Sequence, residues 1–251
     1  MRIDLNSDLG ESFGPWAMGD DAAMLDIVTS ANVACGGHAS DPETMYRTLR
    51  TAADNGVVVG AHPGYADREG FGRRVIPMGT AELSRMVAAQ IGALAGVAAL
   101  AGAELRYVKA HGALANLAAD DRAAADAVVA AVKAQPGGLA FLAISGTELE
   151  QAARAADVPV YSEIYADRGY LPNGRLVPRG QPGALIHDPE AAADRLLRFL
   201  ETGRMAVVGG ESIPLAAASV CVHGDSPGAV AMARTIRARL AAAGVSVAGF
   251  L

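Results

Sequence analysis

Residues 31–62 read ANVACGGHASDPETMYRTLRTAADNGVVVGAH and contain one complete strand–helix–strand unit. Ala31–Cys35 and Val57–Ala61 are short apolar runs of the kind that form strands buried on both faces. Between them Asp41 supplies an N-cap before a proline, and Gly56 follows the predicted helix end. The stretch therefore predicts two parallel strands joined by a helix.

The same alternation of apolar runs and helical stretches continues along the chain. Further strands are predicted at Ile3–Leu9, Leu105–Ala110, Leu139–Ile144, Val158–Ile164, Ser219–Val222 and Val245–Leu251. Helices are predicted after Thr80 as N-cap, at about 121–134 and 147–157, from near Asp188, and at about 227–243. About seven such units suit a closed α/β barrel of the TIM type, with an open doubly wound sheet as the alternative. Because there is no repeat of fixed period and no low-complexity linker, residues 1–251 are predicted to form one domain.

Composition excludes several classes of protein. The chain has 251 residues, of which 51% are hydrophobic and 19% charged, so it can bury a sizeable core and intrinsic disorder is excluded. It carries 21 Lys and Arg against 27 Asp and Glu, a formal charge of -6, with no basic run. This balance argues against nucleic acid and anionic membranes as partners.

The cysteines and apolar segments give no sign of secretion. Cys35 and Cys221 are not in a paired spacing, so neither a disulfide framework nor a Cys-rich zinc site is indicated. The first residues contain no apolar segment typical of a signal peptide. Met86–Ala103 approaches the length of a membrane span, but its many Ala and Gly residues favour a buried helix. We therefore expect a cytoplasmic protein.

One segment departs from the alternation. Leu171–Gly183, within an insertion at about 169–186, carries three prolines, and its Asn173-Gly174 pair is a strong signal for a two-residue hairpin turn. A hairpin after a barrel strand is either a lid over the barrel mouth or a plain surface excursion, and the sequence favours neither.

Polar side chains collect where the predicted strands end. Four of the five histidines lie at such positions, and each is next to a glycine or separated from one by a single residue. They are His38, His62, His111 and His223. Since chemistry in α/β barrels gathers at the carboxyl ends of the strands, these residues predict a polar pocket at the barrel mouth.

Individual residues at the strand ends allow several interpretations. Lys109 is one of only two lysines and would suit a phosphate or a developing oxyanion. Asp8, His38 and His62 are candidate ligands of a divalent metal, although their spacing matches no specific metal motif. Cys35 is predicted to be a small buried residue rather than a nucleophile. Neither a P-loop nor a G-x-S-x-G motif occurs.

Taken together, the strand-end segments resemble the LamB/YcsF family. Six segments occur in the family's order over nearly the whole chain. They are Asp4–Glu11, Asn32–His38, Gly60–Gly64, Lys109–Leu114, Glu163–Arg168 with Gly174–Arg179, and Val220–Asp225. Three positions depart from the family pattern, with Ala110 for the usual proline, Ala115 for tyrosine and Ser40 for glycine. The change at Ala115 puts substrate fit in doubt more than reaction type.

The resemblance implies a seven-stranded barrel like that of polysaccharide deacetylases and related glycoside hydrolases. It also implies a subunit of an ATP-dependent 5-oxoprolinase, which opens the lactam of 5-oxo-L-proline to L-glutamate while ATP becomes ADP and phosphate. The implied partners are 5-oxoproline and B and C subunits, and the implied cofactor is ATP, with or without Mg²⁺. A second divalent metal in the barrel is an open alternative.

The resemblance and this chemistry together assign candidate roles. The catalytic candidates are Asp8, His38, His62, Lys109, His111, Glu163 and His223. The candidates for binding substrate or nucleotide are Asn6, Asn32, Asp167, Arg168, Arg179 and Asp225. Lys109 and Arg179 would meet a phosphate or carboxylate, and Asp8 or Glu163 would activate water with a modestly raised pKa.

Two other functions remain open from the sequence. One is a stand-alone metal-dependent deacetylase or amidohydrolase that uses no nucleotide. The other is a non-catalytic subunit that binds the substrate and presents it to catalytic partners.

Overall fold

A computed structural model of the chain describes residues 1–224 and 228–251. The strands are β1 (Arg2–Leu9), β2 (Ser30–Ala34), β3 (Val58–His62), β4 (Leu105–Val108), β5 (Ala140–Ile144), β6 (Val160–Tyr165), β7 (Arg204–Met205), β8 (Ile213–Pro214), β9 (Ser219–Cys221) and β10 (Ser246–Val247). The helices are α1 (Asp21–Leu25), α2 (Pro42–Asp54), α3 (Thr80–Ala101), α4 (Gly112–Asp120), α5 (Arg122–Lys133), α6 (Glu148–Ala155), α7 (Pro189–Thr202) and α8 (Ala229–Ala242).

Seven parallel strands form a closed ring in the described part of the chain. β1 pairs with β2 on one side and with β9 on the other, and β2, β3, β4, β5, β6 and β9 follow in that order. The predicted closed barrel is confirmed, and the open doubly wound sheet is wrong because β9, which ends the strand order, pairs back with β1 and closes the ring. That the chain is one domain stays a prediction.

The last predicted strand lies outside this ring. Val245–Leu251 was expected to be a strand, but only Ser246–Val247 pairs, with the first two residues of β1. β9 pairs with β1 from Asp4 onward, so that edge of β1 is free only before Asp4. The closing segment therefore extends the sheet at the amino end of the barrel and adds no strand to the ring.

Local signals account for the differences among the helices. α4 was missed because its first residue is Gly112 and no side chain caps it, so the sequence carries no start signal. α5 does begin after a capping side chain, since Asp121 accepts a hydrogen bond from the Ala124 N–H (3.1 Å). The prediction of Thr80 as N-cap is wrong by one residue, because Gly79 occupies that position and Thr80 is already helical.

The long apolar helix α3 packs on the barrel by one face. Among the described helices it is the one long and apolar enough to cross a membrane, judged by length and composition alone. Leu83, Val87, Ile91 and Leu94 face inward, while only 33% of its most apolar window is buried. The prediction of a buried helix therefore holds for that face alone.

The insertion after β6 contains the predicted hairpin. Tyr170 and Leu176 form an antiparallel bridge, and the Leu171 N–H donates to the Arg175 carbonyl (2.7 Å). Gly174 occupies the turn with φ at +80°, a left-handed conformation that glycine adopts without a steric cost. The Asn-Gly signal therefore located the turn, but the predicted two-residue loop is wrong, since three residues lie between Leu171 and Arg175.

Candidate active site

The seven strands run in parallel, so the residues that end them meet at one mouth of the barrel. Below that mouth Lys109, at the end of β4, lies inside the ring and is only 2% exposed. Its Nζ forms ion pairs with Asp8 Oδ1 and with Glu163 Oε1, both at 2.9 Å. It also lies 3.2 Å from Cys221 Sγ. The lysine ammonium is therefore held between two carboxylates.

The two carboxylates have opposite pKa shifts. Burial raises the pKa of Asp8, but His62 and Lys109 outweigh burial and hold that pKa well below its ordinary value. Burial also raises the pKa of Glu163, and there Lys109 only partly compensates, so the net shift is upward. The raised pKa expected of a general base is thus found at Glu163 and not at Asp8.

Two asparagines connect this pair to the barrel wall. Asn32 Nδ2 donates to Asp8 Oδ1 (2.9 Å) and to Asn6 Oδ1 (2.7 Å), while Asn6 Nδ2 donates to Ser219 Oγ (2.7 Å). The Tyr107 hydroxyl donates to Asn32 Oδ1 (2.6 Å). Both asparagines are fully buried below the cavity, so they orient Asp8 from within the protein.

Above Asp8 lies a group that we call the histidine–glutamate cluster. It consists of Glu11, His38, His62 and His111, and one ligand atom from each lies within 4.8 Å of the others. The rings of His38 and His111 stack in parallel with centroids 3.6 Å apart. Burial lowers the pKa of His38 well below its ordinary value and that of His111 to about 3, so both rings are neutral near pH 7.

The cluster changes the predicted set of metal ligands. Asp8, His38 and His62 were the candidates, but Glu11 and His111 join the two histidines in place of Asp8. Asp8 Oδ2 lies 3.5 Å from His62 Nε2, and its other oxygen is taken by Lys109 and Asn32. Asp8 as a metal ligand stays a prediction, and its position at the end of β1 brings it against the barrel lysine.

A second acid–imidazole pair lies across the barrel mouth. His223 Nδ1 lies 2.8 Å from Asp167 Oδ2. Burial would raise the pKa of Asp167, but the His223 imidazole outweighs it and the net shift is downward. His223 also faces the Tyr165 ring, with centroids 5.2 Å apart. The pair fixes the orientation of the imidazole beside the cavity.

The insertion contributes cations to this side of the mouth. The Arg168 guanidinium donates to the carbonyls of Val177 (2.7 Å) and Ala184 (3.0 Å), on the two sides of the insertion. Arg168 and Arg179 both line the cavity, together with Arg73 from the loop after β3. Burial and the neighbouring Arg179 lower the pKa of Arg168. These guanidinium groups suit a carboxylate or a phosphate.

A cavity of about 270 Å³ joins these groups at the barrel mouth. The predicted residues that line it are Asp8, His62, His111, Arg168, Arg179 and His223. The other described candidates, which lie deeper in the protein or behind the wall, are Asn6, Asn32, His38, Lys109, Glu163 and Asp167. Asp225 lies outside the described residues. Ala110 and Ala115 also line the cavity, as their place near the pocket predicted.

The sequence reasoning missed several residues of the cavity. Glu11 stood within a quoted segment, three residues after Asp8, but was not chosen as a candidate. Phe71 and Arg73 come from the loop after β3, and Asn116 from α4, where no strand end marks them. Spacing beyond a strand could have identified Glu11, but the other three carry no local signal.

The remaining candidates are structural or exposed. Burial raises the pKa of Cys35 to about 12, and its thiol donates to the Val33 carbonyl (3.3 Å), so the prediction of a buried, unreactive residue agrees with the structure. Trp16, an aromatic residue in the glycine- and proline-containing loop after β1, is 68% exposed, stacks on Phe13 and does not line the cavity.

The family model for the LamB/YcsF family matches residues 3–251, almost the whole chain. The chain belongs to the LamB/YcsF family. A relative from Nocardia farcinica, named as the A subunit of 5-oxoprolinase, is 55% identical over 251 residues and is covered in full, as is this chain. The crystal structure of the lactam utilization protein from Thermus thermophilus has a TM-score of 0.93 at 42% identity, with 99% of each chain covered.

More distant likeness concerns the fold alone. A structure described as a T48 deacetylase with substrate has a TM-score of 0.50 at 13% identity, covering 98% of this chain and 86% of that one. The expected likeness to the deacetylase fold is thereby confirmed.

Proposed function

We propose that this chain is the A subunit of an ATP-dependent 5-oxoprolinase, which acts with B and C subunits to open 5-oxo-L-proline to L-glutamate. The observation that carries the proposal is the full-length match, at 55% identity, to a relative that bears the name of this 5-oxoprolinase component. The likeness to a lactam utilization protein agrees with a cyclic amide as substrate. Because the reaction needs ATP, the proposal places the protein in the cytoplasm.

The chemistry explains why ATP is needed. A five-membered lactam is an unstrained amide, and opening it is unfavourable near neutral pH. Phosphorylation of the lactam oxygen by ATP releases ADP and makes the ring carbon electrophilic, so that one water adds to it and the C–N bond breaks, which leaves an acyl phosphate. A second water then hydrolyses the acyl phosphate to the carboxylate of L-glutamate and free phosphate. No P-loop occurs in this chain. ATP therefore binds either to this chain without a P-loop or to one of the partner subunits.

The cavity suits a small acid of this kind. Arg168 and Arg179 lie on one side and would hold the carboxylate of the substrate, or a phosphate, through charge-assisted hydrogen bonds. Asp8 and His62 lie on the cavity wall and would orient or deprotonate water. Of the two carboxylates proposed as base, Asp8 reaches the cavity, whereas Glu163 is fully buried beneath it.

We expect Lys109 to position Asp8 and not to contact the substrate. It contacts both carboxylates and lies below the cavity, so it keeps Asp8 ionised and oriented. Removing its charge would leave two buried carboxylates without their common partner. We therefore expect Lys109 to affect turnover through Asp8 and not through direct contact with the substrate.

The first experiment measures glutamate release from 5-oxoproline, with and without ATP. It uses this chain alone and then this chain mixed with candidate B and C subunits. Turnover that requires both ATP and the partners is the expected result. ATP-independent turnover by the chain alone would favour a stand-alone hydrolase, and an unchanged ATPase in all site variants would favour a binding subunit.

Variants of the two lysines test the site itself. Lys109→Ala should reduce turnover of the reconstituted complex by at least about 100-fold, since the general base loses its orientation. Lys133→Ala is the matched control, because Lys133 is exposed on α5 and its Nζ contacts only the Ala156 carbonyl among the described residues. Asp8→Asn, which keeps the shape of the side chain, should lose activity similarly. Intact turnover in Lys109→Ala would contradict the assignment.

A further inference from the structure

The tautomers of two histidines in the histidine–glutamate cluster follow from their backbone contacts. His62 Nδ1 lies 2.8 Å from the Lys109 carbonyl oxygen, and His111 Nε2 lies 2.8 Å from the Phe71 carbonyl oxygen. A carbonyl oxygen only accepts hydrogen bonds, so these two ring nitrogens carry the protons. The second nitrogens, His62 Nε2 and His111 Nδ1, are therefore the ones that can offer a lone pair to a ligand.

These two lone-pair nitrogens face each other at 3.0 Å. Either a proton or a metal ion must lie between two such nitrogens, because two lone pairs at this distance repel each other. Two nitrogens that each lie about 2.0–2.1 Å from one zinc ion are roughly 3.0–3.4 Å apart. The spacing therefore matches two ligands of a common ion, and the two carbonyls are the outer contacts that fix ligating histidines in proteins.

The other two members complete a set of ligands. Glu11 Oε1 lies 3.2 Å from His38 Nε2 and 3.7 Å from His111 Nδ1. Ligand atoms at about 2.0–2.1 Å from a tetrahedral ion are about 3.3–3.4 Å apart. The separations of 3.0, 3.2 and 3.7 Å lie close to that spacing, and all four atoms lie within 4.8 Å of one another. The Glu11 carboxylate would supply negative charge.

We propose that the histidine–glutamate cluster binds one divalent transition-metal ion of the zinc type. Three imidazoles and one carboxylate favour zinc over magnesium or calcium, which prefer oxygen ligands. Glu11, His62 and His111 line the cavity, whereas His38 lies behind it. One side of the ion would thus face the cavity, where it could polarise an oxygen atom of a bound ligand.

The experiment measures zinc binding by the chain without an affinity tag, after dialysis against a chelator. Calorimetric titration with Zn²⁺ and elemental analysis should show one ion per chain, and thermal melting should move to higher temperature. Co²⁺ should replace zinc and give a visible absorption spectrum of a nitrogen-rich site. Binding of less than one equivalent, or no shift in melting, would overturn the proposal.

Variants locate the ion. His62→Ala, His111→Ala and the isosteric Glu11→Gln should each weaken zinc binding by about 100-fold or more, while His187→Ala, at a histidine outside the cluster, should bind as the parent chain does. Circular dichroism checks that each metal-free variant is folded. If His62→Ala and His111→Ala bind zinc unchanged, the ion lies elsewhere and the proposal is wrong.

The assay needs neither ATP nor partner subunits. Zinc binding with no oxoprolinase activity would therefore contradict the proposed function alone, and activity without zinc binding would contradict only the metal site.

Discussion

Ser40, which stands where the family usually has glycine, adopts a left-handed backbone conformation with φ at +77°. A side chain in this conformation costs roughly 1–2 kcal/mol, and glycine removes that cost. Ser40→Gly should therefore raise the free energy of unfolding by about 1 kcal/mol. This gain is reduced by the larger conformational entropy that glycine gives to the unfolded chain. Thermal melting should show a rise of about 2–4 °C.

The matched control is the same substitution in a helix. Ser84 lies within α3, where glycine destabilises by roughly 0.5–1 kcal/mol. Ser84→Gly should therefore lower the melting temperature while Ser40→Gly raises it. A fall in both variants would show that the Ser40 side chain contributes more than its backbone strain costs.

The Asp167–His223 pair makes stability depend on pH. The pKa of Asp167 is lower in the folded chain than its ordinary value, because His223 outweighs the opposing effect of burial. Such a carboxylate stabilises the fold above its unfolded pKa of about 4, and this contribution is lost as the pH falls through the folded pKa. Asp167→Asn should therefore cost about 1–3 kcal/mol at pH 7.

Denaturant unfolding at a series of pH values checks this sign. The difference in unfolding free energy between the parent chain and Asp167→Asn should still be present at pH 5 and should shrink below about pH 4. Asp126→Asn, at an exposed residue on α5, is the control, and its unfolding free energy should differ little from that of the parent chain at every pH. A difference that grows toward low pH would have the wrong sign for this account.

At the scale of residues, the sequence predicted which side chains gather but not their depth. His62, His111 and His223 were identified because parallel strands bring their carboxyl ends together. Whether a side chain reaches the cavity depends on its exact position relative to the end of its strand. Lys109 lies inside the ring of strands, below the cavity. Arg73 was missed because loop positions follow from tertiary packing and not from a local pattern.

Two arginines help to attach the insertion after β6 to the barrel: the buried Arg168, and Arg175, which donates to the carbonyls of Ala119 (2.8 Å) and Gly146 (3.1 Å). The Arg168 guanidinium donates to the carbonyls of Val177 and Ala184, so it ties both sides of the insertion to the barrel mouth. Arg168→Ala should leave the barrel folded but loosen the insertion, because two charge-assisted hydrogen bonds are lost while those of Arg175 remain. Since Arg168 also lines the cavity, we expect a higher KM for an acidic substrate.

Hydrogen exchange followed by mass spectrometry checks this prediction. Residues 171–183 should exchange faster in Arg168→Ala by at least about tenfold, while β1 to β5 exchange as before. Arg198→Ala, at an exposed position on α7, should change neither segment. Unchanged exchange in the insertion would mean that its own hairpin contacts hold it in place.

At the scale of elements, the strands were predicted well and the connections less so. The barrel strands are continuous apolar runs, so their order and parallel direction were evident, with ends shifted by up to about two residues. α4 and the pair β7–β8 were missed, because one lacks a capping side chain and the other has only two-residue strands. Such short elements form because the barrel surface already holds their ends.

The two ends of the whole barrel have different tasks. The carboxyl ends of the strands carry the cavity, whereas Phe250 packs at the opposite end against the rings of Tyr107 and Tyr161, with centroids 5.0 and 4.8 Å away. Residues at the amino end of such a barrel serve stability more than catalysis. Tyr107 joins the two ends, since its ring contacts Phe250 and its hydroxyl holds Asn32.

Phe250→Ala should therefore lower stability without changing the site. Phe250 is half-buried, so we expect a loss of about 2 kcal/mol, below the roughly 3–5 kcal/mol for a fully buried phenylalanine. The Tyr107 hydroxyl keeps its hydrogen bond to Asn32, so kcat of the reconstituted enzyme should stay within about twofold. Tyr107→Phe is the comparison, because it removes that hydrogen bond and should lower kcat while Phe250 keeps its ring contact. If Phe250→Ala reduced kcat by more than about tenfold below its melting temperature, the amino end would be coupled to the cavity through Tyr107, and stability and catalysis would not be separate tasks of the two ends.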